Sequence, residues 1–514
     1  MNPGPLPEVM RISQARLTAG LDRYARIDLD THQQIFGAIQ RMNARQLVEM
    51  VERVDIRGRG GAAFPFARKI RAVMDSATAR RRKTVILVNG TEGEPGSAKD
   101  KMLLLRSPYL VLGGALLACR ALGGKEIVVG VAGTGPDGLV GRSVAEAAMA
   151  EPELKALVRV VEVPDRFVSG EGGALVNAVN GKPAIPPGRK RRASDAGVDG
   201  LPTLLSNAET FAQLAVLAML GPDGYASVGT AEEPGTVLLT VGGAVSRPAV
   251  VEVPSGIPLG VVLDICGARV GDGVLVGGYH GKWLPREVAY DVPVSRAGLA
   301  AVGGALGAGI VLPLGEGTCP VGEVARIARY LAKESSGQCG PCQLGLPGIA
   351  RSLSALAEGS GGMDALDTAR RAAGSVRGRG ACSHPDGASR FVFSAIEVFT
   401  DDLAAHVFRG GCGRPVQGTL PLDGQDEARL AVDWTRCRGH GLCSRLVPEL
   451  VQLDSQGFPV FLDMPVPFWL EQQAVQAVQM CPALALRLEP ATPRAAPPAL
   501  PPGGAPDVKG VLLA

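Results

Sequence analysis

Apolar and polar positions along the first half of the chain switch between two periods. A helical spacing runs over 34–54, and KTVILVNG (83–90) then reads as a strand buried on both faces. Residues 99–122 follow a helical pattern despite Pro108, and EIVVGVAG (126–133) is a second strand. Helix returns over 138–157, strand over 158–164 (VRVVEVP) and helix over 207–220. Continuous apolar strands separated by helices predict a doubly wound parallel sheet.

The pattern changes at Gly235, where TVLLTVGGAV, PAVVEVP and VLVGGY are short strands with turn residues between them, the mark of a small α+β unit. From 320 to 409 four helical stretches follow one another. A polar Gly/Pro segment (410–427) reads as a linker, a compact unit spans 429–489, and the Pro/Ala-rich end has the composition of a disordered tail. No internal repeat is evident.

A chain of 514 residues holds several cores, because single domains stop growing near about 250–300 residues. Its net charge of +3 is too balanced to point to nucleic acid or a membrane surface. MNPGPLPEVMR has no apolar core beside a basic region, so no secretory leader is expected. The most apolar long stretch, 298–315, is Gly-dense and carries Pro313, which argues against a membrane span. A cytoplasmic protein is the expectation.

Ten cysteines in a long chain without a leader suggest metal or redox use rather than disulfides. Cys119, Cys266 and Cys319 are isolated, apolar-flanked and read as structural. The others crowd into the last third. In VDWTRCRGHGLCSRLVPEL, Cys437 and Cys443 share a Gly-rich loop, and Cys481 is followed by Pro482. Thiolates from a tight glycine loop plus a remote Cys-Pro suit an iron–sulfur cluster. This unit resembles single-cluster bacterial ferredoxins, whose middle cysteine position is here His440. The resemblance implies a 3Fe-4S cluster on Cys437, Cys443 and Cys481, or a 4Fe-4S cluster with His440 as fourth ligand. Glu449, Asp454 and Asp463 suit the docking of a redox partner or a merely solvated face.

Upstream, ESSGQCGPCQLG sets Cys339 and Cys342 three apart, and Cys382 lies in GRGACSHPDG. Spacing alone also fits zinc. The longer phrase resembles the cluster-binding stretch of the NADH- and flavin-binding subunit of respiratory complex I and its relatives in soluble hydrogenases and formate dehydrogenases. In that family a cysteine stands where this chain has Ser336; Cys339, Cys342 and Cys382 match the other three ligands of a 4Fe-4S cluster. His384 or the linker residue Cys412 offers a substitute for the missing thiolate, although Cys412 reads more simply as incidental.

Further phrases in family order extend the resemblance over 55–414. In IRGRGGAAFPFARK, Gly58, Gly60 and Gly61 permit backbone approach to a phosphate, and Arg57, Arg59 and Lys69 bring positive charge. The family uses this loop for FMN and the nicotinamide nucleotide, with Phe64 near the base. In VNGTEGEPGSAKD, Asn89, Glu92, Glu94 and Gly96 match, and Thr91 replaces an aspartate. Gly170 and Glu171 match a third phrase, in which Gly172 replaces a glutamate. Ser206, Asn207 and Thr210 of PTLLSNAETF fall at flavin-contacting positions. Glu94 and Lys69 are the implied catalytic pair. An aromatic expected after Gly181 is missing; Arg189, Lys190, Arg191 and Arg192 stand there instead, an exposed basic loop or a site tolerant of the NADPH phosphate.

The resemblance thus implies an α/β and α+β multidomain protein. Its parts are a doubly wound FMN/NAD(P)H-binding domain (1–234), a small β-grasp-like domain (235–318), a four-helix iron–sulfur domain (319–410), a linker (411–428), a ferredoxin fold (429–490) and a tail (491–514). Hydride from NAD(P)H would pass through FMN and a cluster to the fused ferredoxin and an external redox protein, or the reverse. A thioredoxin-like 2Fe-2S protein is the family's usual companion. The competing reading is a non-catalytic electron-transfer or scaffold subunit whose nucleotide site has eroded.

Overall fold

The computed structural model describes residues 7–37, 41–133, 138–188, 192–422, 428–448, 450–461 and 471–490. Arg189, Lys190, Arg191, Glu449, Asp463 and the segment 491–514 lie outside the described residues. The chain forms two compact units, divided between Pro421 and Leu422.

In the first unit a short strand β1 (Glu8–Arg11) precedes the parallel strands β2 (Thr84–Gly90), β3 (Gly124–Ala132), β4 (Val158–Val163) and β5 (Thr203–Asn207), arranged β4-β3-β2-β5. Both faces are covered, as their unbroken apolar runs require. Ile86, Val88, Ile127 and Val129 pack into the larger core, whereas Val85, Leu87 and Val128 pack with Leu175 and Val198 on the other side. The chain adds β3 and β4 on one side of β2 and then returns to place β5 on the other. A topological switch point therefore opens between β2 and β5 at their carboxyl ends.

Three expected helices are broken where backbone chemistry demands it. The segment 34–54 divides into Leu29–Phe36 and Ala44–Arg53, the first ending at Gly37 with φ 70°. Residues 99–122 divide at Ser107 because Pro108 can only begin a helix; the two parts are bent by 92°. Residues 138–157 divide before Pro152. Among the described residues no single helix is long and apolar enough to cross a membrane. The bent pair Lys99–Arg106 and Pro108–Ala121 is apolar enough taken together, but its apolar side chains fill the core.

The strands β6 (Thr236–Val241), β7 (Ala249–Pro254), β8 (Gly273–Val276), β9 (Lys282–Pro285) and β10 (Ile310–Pro313) form a mixed sheet in the order β1-β7-β6-β10-β8-β9. Thus β1, from the amino-terminal segment, belongs to this second sheet. It is tied there by buried Glu252 of β7, whose carboxylate accepts from the backbone N–H of Arg16, Leu17 and Thr18 and from the hydroxyls of Thr18 and Thr236.

Helices Pro320–Lys333, Leu346–Ala357, Gly362–Val376, His384–Val398 and Thr400–Arg409 follow. The expected fourth stretch is two helices, since Phe399 leaves helical geometry with φ −102° and ψ 37°.

The second unit pairs β11 (Ala428–Val432) with β14 (Leu486–Pro490) and β12 (Val451–Leu453) with β13 (Pro459–Phe461), both antiparallel. Helices Leu442–Leu446 and Glu471–Gln479 complete it, around Leu430, Val447, Leu450, Val451, Ala474, Ala477 and Leu486.

Candidate functional site

The switch point collects the phrases singled out in the sequence. Asn89 of β2 stands in register with Asn207 of β5. Asn207 also caps the helix Ala208–Tyr225, accepting from the N–H of Glu209 at 3.0 Å. The glycine loop closes over that helix start: the N–H of Arg59 donates to Thr210 Oγ1 at 3.0 Å, and Gly60 packs against Asn207 Cβ. Arg57 pairs with Pro65 across the base of the loop, whose Gly61 has φ +97°. A helix amino-terminus with free N–H groups beneath a glycine loop is an anion site.

Its donor set is only partly spent: Arg59 Nε stands 3.9 Å from buried Glu209 Oε1, too far for a hydrogen bond. Among the described residues Arg59 Nε and Ser206 Oγ are buried without a hydrogen-bond partner, and so is Ser169 Oγ in the segment before Gly170. Orphaned buried donors are costly unless a ligand completes them. This donor set fits a flavin phosphate and its polar groups. Lys69 donates to the Leu205 carbonyl at 2.8 Å, and burial lowers its pKa to about 8. Phe64 is 43% exposed with Arg68 over its ring, so it is a surface aromatic and no part of a core.

The second phrase folds into the loop after β2. Asn89 Nδ2 donates to the Gly170 carbonyl at 2.9 Å, and Thr91 Oγ1 donates to Asn89 Oδ1 at 2.8 Å. Glu92, at φ 35°, accepts from Ser97 Oγ and from the N–H groups of Asp100 and Lys101. Its carboxylate thereby caps the helix Lys99–Arg106. Gly93 lets the loop pass the Arg166 backbone closely. Glu94 is largely but not completely buried, accepts from the N–H of Tyr279, and has its carboxyl pushed up to about 8 by loss of water. Glu171 caps the helix Gly172–Val179.

Beneath the loop lies a charged group that pattern reading missed. Lys99 Nζ is buried 3.0 Å from Asp100, 3.0 Å from Glu209 and 3.2 Å from Asn207 Oδ1. Burial works against its charge, but the two carboxylates outweigh that and hold its pKa up. The available signal was a Lys-Asp pair on the face of an apolar helix.

The cysteine loop follows the helix Pro320–Lys333. Cys339 and Cys342 Sγ are 3.7 Å apart, and Ser336 Oγ lies 3.9 Å from Cys342 Sγ. Burial raises the Cys382 thiol, with Cys342, Glu171 and Cys339 adding to the rise, so Cys382 shares their surroundings. Three thiols and a hydroxyl from one loop and one remote segment fit an iron–sulfur cluster with an oxygen at one corner. The two proposed substitutes for the missing thiolate are not placed for it. His384 is engaged at both ring nitrogens, with His280 Nε2 at 3.0 Å and the Leu331 carbonyl at 2.7 Å. Cys412 meets Cys319 and His406. Cys319 and Ser336 flank the 14-residue helix Pro320–Lys333, some ~20 Å apart at ~1.5 Å per residue. Cys319 is accordingly not isolated in space, since Cys412 and His406 lie beside it.

Between the two sites runs a contiguous aromatic group. Tyr279 packs on Tyr330, Tyr330 on Phe167, and Phe167 on both His280 and His384. One end touches Glu94 through the Tyr279 N–H, and the other lies two residues from Cys382.

In the second unit Cys437, His440, Cys443 and Cys481 line one concavity, with Gly439 and Gly441 at positive φ turning the loop around it. Burial raises the Cys443 thiol, and Cys437 and Cys481 raise it further, as expected of converging thiols. Exposed His440 lines the same wall. Asp454 is also exposed, and its carboxylate accepts from the N–H groups of Gln456 and Phe458 within a turn.

A phosphate-type loop at a sheet switch point, beside one cysteine loop and fused to a second three-thiol unit, defines a flavin- and iron–sulfur-dependent electron-transfer protein. Residues 51–216 match the Nuo51 FMN-binding domain, 323–406 the iron–sulfur binding region of NADH-ubiquinone oxidoreductase F, and 430–488 a 4Fe-4S single cluster domain. The chain is a homologue of the F component of NADH-quinone oxidoreductase. It is 29% identical to that protein of Mycobacterium tuberculosis over 409 residues, covering 75% of this chain and 88% of the relative. It is 27% identical over 369 residues to the mitochondrial NADH dehydrogenase [ubiquinone] flavoprotein 1 of Dictyostelium discoideum, covering 68% and 76%. Among solved structures, the NAD+-reducing NiFe-hydrogenase in its air-oxidised state superposes with a TM-score of 0.69 at 26% identity, covering 78% of this chain and 68% of that one.

Proposed function

We propose that this chain is an FMN- and iron–sulfur-dependent NAD(P)H oxidoreductase of the NADH dehydrogenase type, which delivers electrons through its fused ferredoxin unit to an external redox protein. The observation that carries this reading is the set of orphaned buried donors at the switch point, in the same unit as the cysteine loop. When bound, FMN supplies hydride acceptance and one-electron release, and the clusters supply one-electron relay.

The chain's own residues hold and orient. Gly58, Gly60, Gly61 and the amino-terminus of the helix Ala208–Tyr225 would seat the phosphate, with Arg59, Ser206, Asn207 and Thr210 as donors and anchors. Asn89, Thr91, Glu92, Gly170 and Glu171 would build the wall facing the flavin, and exposed Phe64 would receive the nucleotide base. Glu94 and Lys69, both brought to about 8, are the groups placed to hold or release a proton near neutral pH. Cys339, Cys342, Cys382 and Ser336 would hold a 4Fe-4S cluster. Cys437, Cys443 and Cys481, with or without His440, would hold a 4Fe-4S or 3Fe-4S cluster.

In this reading the first unit comprises a doubly wound domain, a β-grasp-like domain and a helical iron–sulfur domain, and the second has a ferredoxin fold. A redox protein and a thioredoxin-like 2Fe-2S companion are the proposed partners. A cytoplasmic location is part of this reading.

Anaerobic purification, with FMN and iron quantified and spectra taken before and after NADH or NADPH, tests the proposal. Yellow protein that bleaches with either nucleotide supports it. Brown protein without flavin would establish the scaffold reading instead, and bleaching by NADH alone would exclude NADPH.

A further inference from the structure

Away from both cysteine loops the fold assembles a third set of soft donors. Cys319 caps the helix Pro320–Lys333, and its Sγ accepts from the Gly322 N–H at 3.3 Å. His406 lies in the last turn of the helix Thr400–Arg409, and Cys412 follows just beyond Gly410, which ends that helix in the left-handed conformation. Cys319 Sγ, a His406 ring nitrogen and Cys412 Sγ all lie within 4.8 Å of one another, with Cys319 Sγ 3.2 Å from His406 Nε2. Cys319 and His406 are buried and Cys412 is half-buried.

The histidine is already set for metal. Its Nδ1 lies 2.9 Å from the Leu356 carbonyl, which can only accept. Nδ1 therefore carries the proton, and the Nε2 lone pair faces the thiols. A backbone carbonyl fixing the far nitrogen is the usual support of a metal-bound histidine.

We propose that Cys319, His406 and Cys412 bind a zinc ion through two thiolates and one imidazole nitrogen, with water in the fourth position. Two sulfurs and one imidazole nitrogen suit zinc in hardness and geometry. With Zn–S near 2.3 Å and Zn–N near 2.0–2.1 Å, tetrahedral ligand atoms stand about 3.5–3.8 Å apart. The observed separations, from 3.2 Å up to the 4.8 Å limit, bracket that spacing, so seating the ion requires shifts of an ångström or less. Binding replaces two thiol protons by the ion, with no change of oxidation state.

The role fits the position. The segment after Cys412 runs back along the first helix: the Pro415 carbonyl accepts from the Cys319 N–H at 2.8 Å, and the N–H groups of Gly418 and Thr419 donate to buried Glu323. The segment ends at Pro421, whose carbonyl accepts from the Tyr279 hydroxyl. Zinc would pin this strap to both ends of the helical domain.

The test is metal analysis and zinc-edge X-ray absorption on the full-length chain, expressed with zinc in the medium and purified anaerobically without chelators. About one zinc per chain, with a shell of two sulfurs and one imidazole, is expected. The double variant C319S/C412S should lose that zinc while retaining iron and FMN. The variant C339S/C342S should lose the helical-domain share of the iron, keep that of the ferredoxin unit and retain zinc, which separates this site from a misloaded cluster loop. Absence of zinc, its persistence in C319S/C412S, an all-sulfur shell, or a Cys319–Cys412 disulfide in the anaerobic protein would each overturn the proposal. Should the double variant fail to fold, the wild-type absorption spectrum alone decides.

Discussion

Replacing Glu94 by glutamine isolates one buried ionisation. The glutamine keeps an oxygen to accept from the Tyr279 N–H and removes the proton. Burial moves the carboxyl from 4.5 to about 8, so between those values the folded chain binds a proton that the unfolded chain does not. The contribution to stability is full below pH 4.5, falls by about 1.4 kcal/mol per pH unit through the window, and reaches its limit above pH 8. From pH 5.5 to 7.5 the wild type should therefore lose about 2–3 kcal/mol relative to E94Q, since the other titrations cancel in the difference. Urea unfolding followed by tryptophan fluorescence reads this, because Trp283 is buried in the same unit between Phe391 and Phe399. Wild type and E94Q tracking each other in parallel across this range would refute the reasoning.

Four further outcomes are expected. E252A leaves three backbone N–H groups and two hydroxyls unpaired and should cost about 3 kcal/mol or more, read from the same urea titration. G114A forces a methyl group against the Phe211 carbonyl, where two helices cross, and should cost about 3 kcal/mol or yield insoluble protein. F64A should change stability by under about 0.5 kcal/mol, since the ring is exposed, yet raise KM for NADH several-fold in steady-state kinetics. S336C adds a fourth thiol beside Cys342 and should raise iron content and air stability, checked by iron analysis after timed exposure to oxygen.

Much of the fold was legible because its signals are local. The β-branched runs that became β2, β3 and β4 are apolar on both faces, which only a covered parallel sheet satisfies. The helices Phe66–Arg80 and Thr400–Arg409 and the strands β1 and β5 were not separately legible. β5 lies inside a phrase read for its polar residues, and β1 gains its partner only from β7, more than two hundred residues away.

Composition and spacing by themselves marked which glycines can approach a phosphate and which thiols recur at metal- or cluster-binding spacing; the choice of cluster over zinc, and the serine at a ligand position, came from the longer phrases that resemble a family. These are properties of residue type and short-range order. Only the tertiary structure decided what meets what. It set Asn89 beside Asn207, buried Lys99 between two carboxylates, engaged both nitrogens of His384, and brought Cys319 to Cys412 from the far end of the helical region. Such juxtapositions depend on sheet order and helix packing, and no local pattern encodes them.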